Sequence, residues 1–153
     1  VTIALDRSRP KRPWKLRILT RLAICAARLL VFLKPHTLRR VLIRLSKGAA
    51  AADAVQAKEA RDSVLASSLS LHGLRACLPR SLSTALLCRF RGVWPTWCVG
   101  VRTAPPFAAH AWVEVDEELI GETGGYASYS RLFTVPPVRE NSTAPAPSGD
   151  HRP

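Results

Sequence analysis

A cysteine and a proline, Cys77-Leu78-Pro79, stand at the head of an apolar run, Leu82, Ala85, Leu86 and Leu87, that closes at Gly92. No other stretch constrains the fold as much. Proline near the start and glycine past the end are the usual punctuation of a helix. The pattern predicts one over about Leu78 to Arg91. The first turn of a helix carries unpaired N–H groups and a partial positive charge, which favour a thiolate over a thiol. Cys77 is therefore a candidate nucleophile, and the rest of the chain has to be consistent with that role.

Upstream, residues 1–14 are polar, basic and punctuated by proline, and they read as a mobile basic arm. Helical periodicity then runs from Lys15 to Leu33, with Arg17, Arg21 and Arg28 in a stripe beside Leu16, Leu19, Leu22, Leu30 and Leu33. Lys34-Pro35 ends it. Thr37 is placed to cap a second basic helix to about Leu45, so that residues 15–50 form a basic helical region. A third helix is expected over roughly Ala51 to Ser68. Downstream of the cysteine helix, Trp97 to Val101 and Ala109 to Val115 read as strands. Asp116 to Glu118 form a turn, and Leu119 to Glu122 return as a hairpin partner. Tyr129 to Val135 adds a last extended piece. Residues 136–153 have the composition of a disordered tail. Helices followed by a small antiparallel sheet make an α+β fold, with its core over residues 51–135.

Charge is divided unevenly. Residues 1–47 hold 13 Lys or Arg against the single acid Asp6, whereas residues 48–153 hold 10 of each sign. The excess points to an acidic or polyanionic partner for the first third. No run approaches the ~18 apolar residues of a membrane span, and no small-residue cleavage site follows Leu22 to Leu33. Cys25, Cys77, Cys88 and Cys98 lack close pairing and metal-ligand spacing. The chain is expected to be cytoplasmic, with no cofactor and no metal. Cys25, Cys88 and Cys98 sit in apolar surroundings and are expected in the core.

A cysteine nucleophile needs a base, a group to orient that base, and donors for an oxyanion. Of the four histidines, His151 lies in the tail, His36 in the basic region and His72 in the turn before the cysteine helix. His110 opens a strand, at a sheet end, and is the base best placed. With a three-residue turn at Asp116 to Glu118, Glu122 falls on the same face as His110 and diagonally beside it, at about 7–8 Å between strands. Asp116 then lies at the hairpin tip, on the order of 20 Å away. A two-residue turn would send Glu122 to the opposite face. The Cys77 N–H is a candidate oxyanion donor, and nothing places Gln56, the only glutamine.

The blocks Cys77-Leu78-Pro79-Arg80-Ser81, Arg89-Phe90-Arg91-Gly92, Val99-Gly100-Val101 and Ala109-His110-Ala111-Trp112-Val113-Glu114-Val115 resemble the lasso-peptide leader peptidases, which are transglutaminase-like cysteine peptidases. The likeness covers about residues 55 to 133. It implies a papain- or transglutaminase-like fold with Cys77 as nucleophile and His110 as general base. The acid position falls on Glu122, where Asp is the more usual residue. It also implies a split system of a precursor peptide as substrate, a separate leader-recognition protein and an ATP-dependent lasso cyclase. The basic helices would then dock the leader-recognition protein or an acidic leader, with no nucleic acid partner. Two other readings stay open: a nucleic-acid or membrane-surface binder driven by residues 1–47, with peripheral membrane contact through residues 15–47, and a true acyl-transferring transglutaminase.

Overall fold

The computed structural model describes residues 12–138 of the chain. Four helices, α1 (Trp14–Leu30), α2 (Pro35–Ser46), α3 (Ala54–Ser67) and α4 (Cys77–Phe90), accompany an antiparallel sheet of β3 (Thr96–Arg102), β4 (Ala109–Val115), β5 (Glu118–Leu119) and β6 (Tyr129–Val135). The order across that sheet is β5-β4-β3-β6. Two-residue strands, β1 (Ala50–Ala51) and β2 (Val93–Trp94), pair in parallel. The fold is α+β, as the order of elements predicts.

Helix α4 is the core element. Eight consecutive residues, Ser81 to Cys88, are buried. A helix buried all round must satisfy its own polar side chains. Ser81, Ser83 and Thr84 do so by donating to the carbonyls of Leu78, Pro79 and Arg80, within the same helix. Pro79 falls in the first turn, where a missing N–H costs nothing. Leu82 and Leu87 pack in one cluster with Ala23 and Ala27 of α1, Leu42 of α2, Ala60 and Val64 of α3, and Trp97 and Val113 of the sheet. Each fully buried leucine contributes about 2 kcal/mol. The basic helices thus share one core with the sheet.

Strand β4 alternates cleanly. Ala111, Val113 and Val115 join the helical core, while Trp112 turns to the other face, against Cys98 and Tyr129. Trp112 Nε1 and the Arg131 guanidinium both bond the buried carboxylate of Glu114 there. That bond network keeps the far face polar but satisfied.

Several boundaries differ from the expectations. Helix α1 begins at Trp14, which takes Trp14 out of the arm. Arg12 and Pro13 are also held, Arg12 by donating to the Ser63 carbonyl at 2.9 Å and Pro13 as the N-cap of α1, while residues 1–11 of the arm and the tail from 139 onward lie outside the described residues. Helix α2 starts at Pro35 with Lys34 at its N-cap, so Thr37 is internal. Helix α3 starts only at Ala54, because Asp53 and Gln56 form a reciprocal capping box and Ala50-Ala51 is drawn into a strand. Among the described residues no helix is long and apolar enough to cross a membrane.

Candidate active site

Cys77 is the first residue of α4 and is half-buried. Two short 3-10 turns, Leu69–His72 and Leu74–Ala76, deliver the chain to it. Arg80 clamps that approach, its Nη1 donating to the carbonyls of Leu71 at 3.1 Å and Gly73 at 3.4 Å. Ser81 Oγ donates to Leu78 O and accepts from Trp97 Nε1 at 3.1 Å, which ties the first turn of α4 to β3.

His110 is the second residue of β4 and pairs with Gly100 of β3. Its ring stacks on Tyr129 at 5.3 Å and on Trp112 at 5.9 Å. Gly100 is required for this: a Cβ there would overlap Ser130 O and press on the Trp112 ring. His110 Nε2 lies 2.9 Å from Glu122 Oε2. That leaves Nδ1 as the ring nitrogen available to Cys77.

Glu122 reaches the histidine by a route that strand geometry does not give. The hairpin turn has two residues, Asp116 and Glu117, both with positive φ (48° and 66°). Val115 therefore pairs with Glu118 and Glu114 with Leu119, so the expected three-residue turn is wrong. On a continuous strand this register would put Glu122 on the face away from His110. The strand does not continue. Ile120 N still donates to Val113 O, and then Gly121, at φ 69°, turns the chain out of the sheet. Glu122 is carried back to His110 by a loop. A Cβ at Gly121 would also meet the Arg61 guanidinium, which would have to move aside. Arg61 and Arg80 flank the other carboxylate oxygen, Oε1, at 3.9 and 3.8 Å.

These contacts polarise the thiol. Hydrogen bonding to His110 is the largest influence lowering the Cys77 pKa. Burial opposes it, and the N–H groups of Ala111 and Leu78 assist. The helix N-terminus thus helps, but the histidine does more. His110 is pushed up to about 9 by its hydrogen bonds to Cys77 and Glu122, against the effect of burial. Both shifts run in the same direction: they favour a proton on the imidazole over one on sulfur, as a thiolate–imidazolium pair requires. Such a pair can attack an acyl carbon and then protonate the leaving group.

The other expected residues fall elsewhere. Cys88 and Cys98 are buried, and burial pushes the Cys88 thiol up to about 12 and raises the Cys98 thiol as well. Cys25 is exposed, contrary to the core placement, because it lies on the outer side of α1. His72 bonds the Leu65 carbonyl. Gln56 is spent on capping α3 and takes no part in the site. Sequence reasoning passed over Arg61, Arg80 and Tyr129. Arg80 stands in the block beginning at Cys77, but no spacing rule points to Arg61.

The sequence profile of the Transglutaminase-like superfamily matches residues 20–134. This chain belongs to that superfamily. Neither the curated proteins nor the solved structures gave a match. The matched span starts inside α1 and ends within β6, so the transglutaminase-like unit takes in the basic helices, Cys77, His110 and Glu122 together. The superfamily is one of cysteine hydrolases and acyl transferases on an α+β fold.

Proposed function

We propose that this transglutaminase-like chain is a cysteine peptidase that removes the leader from a ribosomally made lasso-peptide precursor. The observation that carries the peptidase reading is the meeting of Cys77, His110 and Glu122 through one imidazole. The Cys77 thiolate attacks the carbonyl at the leader–core junction, and protonated His110 gives its proton to the departing core amine. The leader remains as a thioester on Cys77. His110, now neutral, takes a proton from water, whose oxygen attacks the thioester carbonyl; the C–S bond breaks to return the Cys77 thiolate beside protonated His110, and the leader leaves as a carboxylic acid that ionises to solvent. Glu122 fixes the imidazole with Nδ1 toward sulfur and stabilises its charged form.

A groove of about 550 Å³, lined by Val31, Phe32, Leu71, Arg75, Ala76 and Pro79, opens beside the start of α4. It offers an extended peptide apolar surface along the approach to α4, reaching Ala76, the residue before the nucleophile. The lasso-precursor reading is supported by the four sequence blocks, which carry the resemblance. A separate leader-recognition protein and an ATP-dependent cyclase in the cytoplasm complete the proposed system.

The test is a reconstituted cleavage of a precursor peptide with its leader-recognition protein, read by mass spectrometry. A free core amine, lost in Cys77→Ala, is the expected result. A product in which the leader is joined to another amine would make the chain a transglutaminase instead. Undiminished cleavage by Cys77→Ala would remove the proposal.

A further inference from the structure

Helix α1 is apolar on two sides. Ala23, Ile24 and Ala27 are buried in the core. Trp14, Ile18, Leu22 and Leu29, continued by Phe32 just past the helix, lie on the opposite side and are 66, 47, 54, 71 and 87 % exposed. Exposed Cys25 fills the gap in the row. The row is ~27 Å long at 1.5 Å per residue. Scattered apolar side chains on a surface need no explanation, but a contiguous row of this kind marks a contact.

The flanking charges say what the contact is with. Lys15, Arg17, Arg21 and Arg28 are exposed on the same helix. Among the described residues Lys15, Arg17 and Arg21 enter no ion pair, while Arg28 donates to Ser70 Oγ. Between Asp6 and Asp53 the sequence has 13 Lys or Arg and no acid at all. A second copy of the chain would bring the same cations face to face. Nucleic acid would neutralise the cations but leave Trp14, Ile18, Leu22 and Leu29 against phosphate. An anionic lipid surface suits both features in one contact. Apolar side chains enter the acyl boundary, while Lys and Arg extend sideways to the headgroups. We propose that the outer face of α1 seats the protein on an anionic membrane surface, as a peripheral contact and not a span. This does not rest on the peptidase reading.

The protein carries its own reporter. Trp94, Trp97 and Trp112 are buried, so a fluorescence change on binding belongs to Trp14. The full chain is mixed with phosphatidylcholine vesicles, with and without phosphatidylglycerol. It should co-sediment with the anionic vesicles alone, with a blue shift in emission that Trp14→Phe removes without loss of binding. Replacing Lys15, Arg17 and Arg21 with Gln should weaken partitioning on the order of a hundredfold, at roughly fivefold per cation near such a surface. Replacing Ile18, Leu22 and Leu29 with Gln should abolish the binding while far-UV circular dichroism stays unchanged. Three results would overturn the proposal: no co-sedimentation, equal binding by the Ile18/Leu22/Leu29 variant, or a dimer in solution that the same variant dissolves while vesicles are ignored.

Discussion

The first turn of α4 and the outer face of α1 are opposite solutions to the same problem. Around Cys77 the polar groups are matched: Ser81 to Trp97 and Leu78, Arg80 to Leu71 and Gly73, His110 to Glu122. Along α1 the apolar groups are unmatched, and Trp14, Leu22 and Leu29 face solvent. The first arrangement fixes a side chain in place and tunes its charge. The second fixes nothing within the molecule and has use only in contact with something else. Both are built on leucine-rich helices of similar length, so composition alone does not distinguish them. What distinguishes them is whether the rest of the chain folds back over the surface.

Substitutions that separate the two regions sharpen this contrast. Cys77→Ala should reduce precursor cleavage by at least about 10⁴-fold while leaving the thermal unfolding transition in place, as read by a cleavage assay beside calorimetry. Leu82→Ala, in the centre of α4, should cost about 2–5 kcal/mol in denaturant unfolding, because it opens a cavity in a closed core. Glu122→Gln should lower turnover about 10- to 100-fold. It should also move the alkaline limb of the pH–rate profile below its position near 9, since the lost carboxylate is one of the groups holding the proton on His110. Gly121→Ala should lower stability by about 1–2 kcal/mol through its positive φ, and displacing Arg61 should reduce turnover with it. Leu22→Gln, a leucine of the same size on α1, should change unfolding by no more than about 0.5 kcal/mol. A large loss there would mean that the outer face of α1 is part of the core after all.

Much of the site was legible because its residues announce themselves locally. Pro79 and Gly92 bracket α4, and the alternation from Ala109 to Val115 gives β4 with His110 at its head. Glu122 was reached from the sequence by an argument whose turn length was wrong. The hairpin turns at Asp116 and Glu117, and a positive φ at a glutamate has no sequence signal. The register error was cancelled by Gly121, whose backbone leaves the strand one residue before Glu122. Other misses had a signal that went unused. Asp53 and Gln56 are spaced as a capping box, which sets the start of α3 and removes Gln56 from the site. Cys25 is different in kind. Its neighbours are apolar on both sides of the helix, so periodicity could not say which side was inside.

The central claim is that His110 turns Cys77 into a thiolate, and the most direct measurement is the rate of Cys77 alkylation by iodoacetamide against pH, assigned to its peptide by mass spectrometry. An ordinary free thiol titrates near 8.5 in such an experiment. The predicted result is a midpoint clearly below that value in the native chain, moved upward in His110→Ala, because the imidazole is the largest influence lowering it. Matching profiles in the two proteins, both with the midpoint of a free thiol, would contradict the account.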